Sequence, residues 1–166
     1  MKKWKKILRW IIVKLNKSRM SKETKTQRAC GIYRTAKQYI FLTGYGKTGI
    51  GYSMSYPIKF APIDCDDVEF NNAFGEVFIA SNRDKYSELT SAQLIKAMKQ
   101  RSWRQLHNQS AYIHVRQDDE EIKVLPSMCK NNEWDYEHSL TFDIGKNSIY
   151  DIVSEARKLL DSIEID

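Results

Sequence analysis

The sequence predicts an α+β domain: an antiparallel sheet of about six strands packed by three or four helices. Three observations carry this. The elements fall in the order strands, helices, strands, helix, which suits a sheet with helices laid on it. No internal repeat divides the chain. The length of 166 residues, 42% of them hydrophobic, is about one domain's worth and enough to bury a core without staples. With only 7 Gly and 3 Pro, disordered and collagen-like classes are excluded. Cys30, Cys65 and Cys129 are odd in number and never CxxC, so a disulfide framework is excluded and a reducing cytoplasm is expected. No uncharged run reaches the ~18 residues that a membrane span needs.

Residues 1–28 read as a basic amphipathic helix followed by a linker. Trp4, Ile7, Leu8, Ile11, Ile12 and Leu15 follow i, i+3, i+4, i+7 spacing and share one face. Residues 1–20 carry eight Lys/Arg and no acid. Such a helix suits adsorption to an anionic membrane surface through residues 1–17. It is not a signal peptide: Trp10–Val13 is too short an apolar stretch and no cleavage site follows. Two plainer readings stand beside this one. The helix docks on the body, or translation starts at Met20. Ser18–Arg28 is polar and reads as the linker.

Residues 29–166 form the folded body. Ala29–Arg34 and Gln38–Thr43 read as a hairpin around Thr35-Ala36-Lys37. The glycine-rich stretch Gly44–Gly51 leads into a third strand over Tyr52–Tyr56, which Pro57 breaks or places at an edge, with Ile58–Phe60 continuing it. Asp66 and Glu69 resemble a capping box. Phe70, Ala73, Phe74, Val77 and Phe78 then repeat at helical spacing to about Ala80. Ser91 opens a second helix with Leu94, Ile95 and Met98 inward, and Trp103 and Leu106 mark a further helical turn. Ala111–Gln117 alternates, turns through Asp118–Glu121, and returns in Ile122–Leu125, ended by Pro126. Ser127–Glu137 reads as a polar loop, and Leu140, Phe142 and Ile144 as a last strand. Ser148 caps a final helix with Ile149, Ile152, Val153, Ala156, Leu159, Leu160 and Ile163 on one face.

The net charge of +6 is unevenly spread. Residues 61–166 hold twelve bases and twenty acids, a net of −8. Direct nucleic-acid binding by the body is disfavoured, since phosphate contacts need a clustered positive surface. Catalytic patterns fail on their chemistry. Gly46-Lys47-Thr48 resembles the end of a phosphate loop, but Phe41 stands where a glycine is required and a strand follows instead of a helix. Glu121-Ile122-Lys123 resembles half of a nuclease metal site, but needs an aspartate that only Asp84 or Asp118 could supply. His107, His114 and His138 have no zinc spacing, and Cys65 lies among acids that disfavour its thiolate. No enzyme, metal or cofactor is expected. What remains is acidic: Asp118, Asp119, Glu120 and Glu121, then Glu133, Trp134, Asp135, Tyr136 and Glu137 with interleaved aromatics. These residues predict an anionic, aromatic-anchored surface for a cationic protein partner.

From Gly31 to Ile163 the body resembles the immunity proteins of bacterial contact-dependent growth inhibition systems. The resemblance rests on Ile32-Tyr33-Arg34 with Tyr39–Leu42, the loop Gly44–Gly51, and Tyr52 to Pro57. It continues through Phe74-Gly75, Trp103 before Tyr112–Val115, and Lys123–Pro126. The extension before Met20 departs from the family's pattern. The resemblance implies a cytoplasmic, non-enzymatic protein that binds and blocks the C-terminal toxin domain of a delivered effector, commonly a nuclease. The resemblance assigns no contact residues; the residues' own chemistry makes the two acidic stretches the expected toxin-binding surface, with strand addition at the glycine-rich hairpin as another route. The alternative function is a peripheral membrane protein anchored by residues 1–17.

Overall fold

The computed structural model describes residues 27–48, 51–81, 89–128 and 133–165. The amphipathic helix expected over residues 4–15, its membrane-facing side chains and Cys129 lie outside the described residues. Seven strands form one antiparallel sheet: β1 (Gln27–Thr35), β2 (Gln38–Thr48), β3 (Gly51–Pro62), β4 (Ser110–Asp118), β5 (Glu121–Met128), β6 (Glu133–Trp134) and β7 (Leu140–Asp143). The order is β3-β2-β1-β4-β5-β6, and β7 pairs with β5 on the same side as β6. Helices α1 (Asp67–Ala80), α2 (Ser91–Ala97), α3 (Trp103–Asn108) and α4 (Ile149–Ser162) are the helices among the described residues. This is the α+β class that the sequence predicts.

Turn chemistry sets the central hairpin. Thr35 Oγ1 accepts from the backbone N–H groups of Lys37 and Gln38 and donates to the Gln38 carbonyl, closing the chain in two residues. The glycines here are needed for approach. The Tyr112 ring lies over Gly31, where an added Cβ would come within 2.8 Å of a ring carbon, and at Gly44 it would meet the Ala29 Cβ at the same distance. The helix starts follow their capping residues. The Asp66 carboxylate accepts from Glu69 N, Thr90 and Gln93 form a reciprocal box, and Ser148 accepts from Asp151 N.

Both faces of the central strands are buried, which alternation on β1, β2 and β4 divides between two clusters. Cys30, Ile32, Phe41, Ile113 and Val115 face α1 and α4, while Tyr33, Ile40, Leu42 and Tyr112 face Leu94 and Met98 of the α2 segment and Leu106 of α3. On the long-helix face Phe70 packs edge-on to Tyr39 at 4.9 Å and to Phe41 at 5.0 Å between ring centres. Arg157 of α4 lies 4.9 Å above the Phe70 ring and donates to Asp67 and to the Cys65 carbonyl, both at 2.8 Å, so it ties α4 to the start of α1.

Four sequence expectations need correction. Gln27 and Arg28 belong to β1, not to a linker, since both pair with β4. Pro57, by contrast, stands as one of its two expected readings has it: β3 is an edge strand that continues through it. Tyr56 and Pro57 are extra residues in a bulge, and Thr43 Oγ1 donates to the Pro57 carbonyl at 2.8 Å. Pro126 does not end β5. Its carbonyl accepts from Asp135 N, away from β4, and its nitrogen points the same way, so the missing N–H costs the β4 ladder nothing. The loop after it contains the short strand β6. Finally, β7 stops at Asp143, and Ile144 is exposed beyond it.

Candidate interaction surfaces

The first acidic stretch is the β4–β5 turn. Asp119 takes φ 57° there, a left-handed conformation that Asp tolerates better than most residues. The register sets Arg116 opposite Lys123 and Asp118 opposite Glu121, like charge against like. The repulsion is relieved along each strand: Arg116 reaches Asp118 at 2.6 Å and Lys123 reaches Glu121 at 3.5 Å. Strand β7 adds Asp143 opposite Glu121, so Asp118, Glu121 and Asp143 form a row across three strands. Asp143 was not among the sequence-predicted residues, because only the β7 register brings it there. These pairs are partly exposed and individually worth ~0–1 kcal/mol. Their arrangement offers carboxylates to a partner without a buried-charge penalty. Among the described residues, no group of three His, Cys, Asp or Glu is placed to hold a metal ion.

The second acidic stretch surrounds β6, at the other end of β5. Six residues of extended chain separate Glu121 from Ser127, the partner of Trp134, a distance of ~20 Å. The two stretches therefore lie at opposite ends of one strand and do not merge into one patch. Trp134 leans over Tyr112 and His114, with ring centres at 6.0 and 5.5 Å, and stays 38% exposed. Tyr136 is 69% exposed. Asp135 accepts from His138 Nδ1 at 2.7 Å and from His138 N, and the side-chain hydrogen bond first of all holds its carboxyl below the usual range. Glu137 is exposed. The result is an ordered acidic turn with one half-buried and one free aromatic ring.

The thiols of Cys30 and Cys65 and the His114 ring are buried, and His107 is half-buried. Burial raises the thiols of Cys30 and Cys65, and Arg157 partly offsets the shift at Cys65. His107 stacks on Tyr33, and burial lowers it. His114 is held down to about 4, chiefly by burial and then by Arg116.

A third surface was not anticipated from the sequence. Helices α1 and α4 meet at the Asp67–Arg157 end. Toward the C-terminus of α1 and the N-terminus of α4 the space between them is an open groove of about 1220 Å³. Arg28, Gln117 and Ile122 contribute its sheet side, and Tyr56, Pro57 and Lys59 of β3 contribute one wall. Tyr56, Ile79, Ile144, Ile149 and Tyr150, five of the eight exposed large hydrophobics among the described residues, line it. Ile144 continues the alternation of the last strand and Ile149 has the phase of the final helix's apolar face, yet both are exposed. Ile79 and Tyr150 carry the signal that was available, since each is apolar yet off the inward stripe of its helix.

No family model matches the sequence, and no curated protein matches it. The fold is similar to that of Neisseria meningitidis NMB0488, a protein of unknown function, with 17% identity, a TM-score of 0.63, and coverage of 84% of this chain and 97% of that one. It is also similar to a chain from the CdiA-CT/CdiI toxin and immunity complex of Yersinia pseudotuberculosis. Identity there is 11%, the TM-score is 0.55, and the match covers 82% of this chain and 97% of that one. At these identities the likeness is one of fold.

Proposed function

We propose that the protein is an immunity protein that binds and neutralises the C-terminal toxin domain of a contact-dependent growth inhibition effector, and that it has no catalytic activity of its own. The observation that carries this reading is the fold shared over 82% of the chain with a component of a toxin and immunity complex. The ordered sequence resemblance from Gly31 to Ile163 supports it. So does the electrostatics: a nuclease toxin grips phosphate with a basic cleft, and residues 61–166 carry a net charge of −8. On this reading the carboxylates of Asp118–Glu121 and Glu133–Glu137 steer and pair with the toxin, while Trp134 and Tyr136 supply apolar contact. Inhibition needs only that the cleft be covered, which an interface of about 1,600 Å² achieves. The protein works from the cytoplasm of the cell it protects.

The test is neutralisation. The tagged protein is recovered from its native strain, and the C-terminal fragment of a large secreted protein that copurifies is expressed in a sensitive host. The fragment alone arrests growth, and coexpression with this protein restores it. Arrest in both cases contradicts the reading. The purified protein with Mg²⁺ leaves DNA and RNA intact. Cleavage that is lost in Glu121→Gln would make it an enzyme.

A further inference from the structure

We propose that the groove between α1 and α4 is a second anchoring site, which takes a segment of the toxin domain carrying an aromatic or branched side chain beside a carboxylate. The inference deepens the immunity reading and rests on it for the identity of the partner. Soluble domains expose large apolar residues singly more often than in clusters. Here Ile79 at 63% and Tyr150 at 68% exposure face the same space as Tyr56, Ile144 and Ile149. The volume of about 1220 Å³ exceeds the ~300–1,000 Å³ of small-molecule sites, and the groove is partly open to solvent. Those dimensions suit a stretch of polypeptide.

Charge selects the occupant. Two cations line the groove, and Lys59 is already paired with Glu76. The Nε of Arg28 has no hydrogen-bond partner among the described residues and is out of contact with water. Its backbone is fixed, since Arg28 pairs with Gln117 in the β1–β4 ladder and the next residue, Ala29, donates to Ser81 Oγ at the end of α1. With Lys59 paired, the Arg28 guanidinium is the cation left in the groove lining to meet a carboxylate from outside in a charge-assisted bond. The same argument disfavours two other occupants. Residues 1–20 carry eight bases and no acid, and a second copy would bring to its side of the groove the same surplus of cations, Arg28 and Lys59 against Glu76. The amides of Asn71, Asn72 and Asn147 supply a polar rim.

The experiment is calorimetric titration of the full-length protein with the toxin fragment. Ile79→Asp and Tyr150→Ala change exposed positions and keep the wild-type unfolding curve, yet each weakens binding at least about tenfold. Arg28→Gln weakens it by a similar factor, and Arg28→Lys, which keeps the cation, loses less. Wild-type affinity in all of these variants overturns the groove and leaves the immunity reading standing. If the wild type binds no toxin fragment, the immunity reading fails, and random peptides displayed on phage decide the groove alone. Enrichment of peptides with an acid beside an aromatic, abolished by Arg28→Gln, upholds it, and no such enrichment overturns it. A dimer that Ile79→Asp dissociates would assign the groove to a second copy. Tighter toxin binding after removal of residues 1–20 would assign it to this chain's own N-terminus. Either result overturns the proposal.

Discussion

The two faces of the sheet are buried by different means. On one, two 14-residue helices cover an aromatic core of Tyr39, Phe41, Phe70, Phe74 and Phe78, then part to leave the groove. On the other, α2 and α3, of seven and six residues, cover only the half around Tyr33, Ile40 and Leu42. The rest of that face carries Arg116, Asp118, Glu121 and Lys123, with Trp134 over His114. The long-helix face thus holds the deepest packing and the apolar surface left over. The short-helix face holds the charges, already paired with one another. Apolar exposure and the densest charge therefore lie on different surfaces, and binding energy need not lie where charge is densest in the sequence.

The sharpest way to break this comparison is in the core. Phe70→Ala removes the ring that touches Tyr39, Phe41 and Arg157 and costs about 3–5 kcal/mol, whereas Leu106→Ala beneath the short α3 costs about 2–3 kcal/mol. Urea unfolding with unchanged slopes measures both, and equal losses would make the two faces equivalent.

The next effect is a pH dependence. His114 has a folded pKa of about 4 against an ordinary 6.5, so the unfolded chain takes up the proton first as pH falls. Its contribution is complete above about pH 6.5 and declines by up to about 3 kcal/mol on acidification to about pH 4. Stability followed between pH 7 and 4 shows this slope in the wild type and a flatter one in His114→Asn. Identical slopes would remove His114 as the cause.

Reversing the charge of Asp118–Glu121 or of Glu133–Glu137 weakens toxin binding by about tenfold, more at low salt than at high. Calorimetry at two salt concentrations reads it. Unchanged affinity in both reversals would leave the groove as the anchor and make the acids a solvated rim. The smallest effect is Thr90→Ala, which opens the capping box of α2 and costs about 1 kcal/mol by thermal unfolding, with toxin affinity unaltered.

Much of the fold was legible because local chemistry and tertiary packing agree. The stripe of Phe70, Ala73, Phe74, Val77 and Phe78 is buried, as are Ile152, Val153, Ala156 and Leu160. The turn at Thr35, the cap at Ser148 and the acidic hairpin turn follow from side-chain hydrogen-bonding habits. The misses have tertiary causes. Pro126 is tolerated because its nitrogen points away from the β4 ladder. Two residues at Glu133–Trp134 are too few to show a period, and they pair only because β5 continues beyond its proline. The groove was hidden because periodicity marks which residues face inward, not where two helices stop touching. Ile149 has the phase of a core residue and lies at 42% exposure where α4 leaves α1.

Neutralisation by stoichiometric binding is read by titrating purified toxin fragment with this protein while following the fragment's activity on nucleic acid. The expected result is a linear fall of activity to zero at one equivalent. Full activity in the presence of excess protein would contradict it.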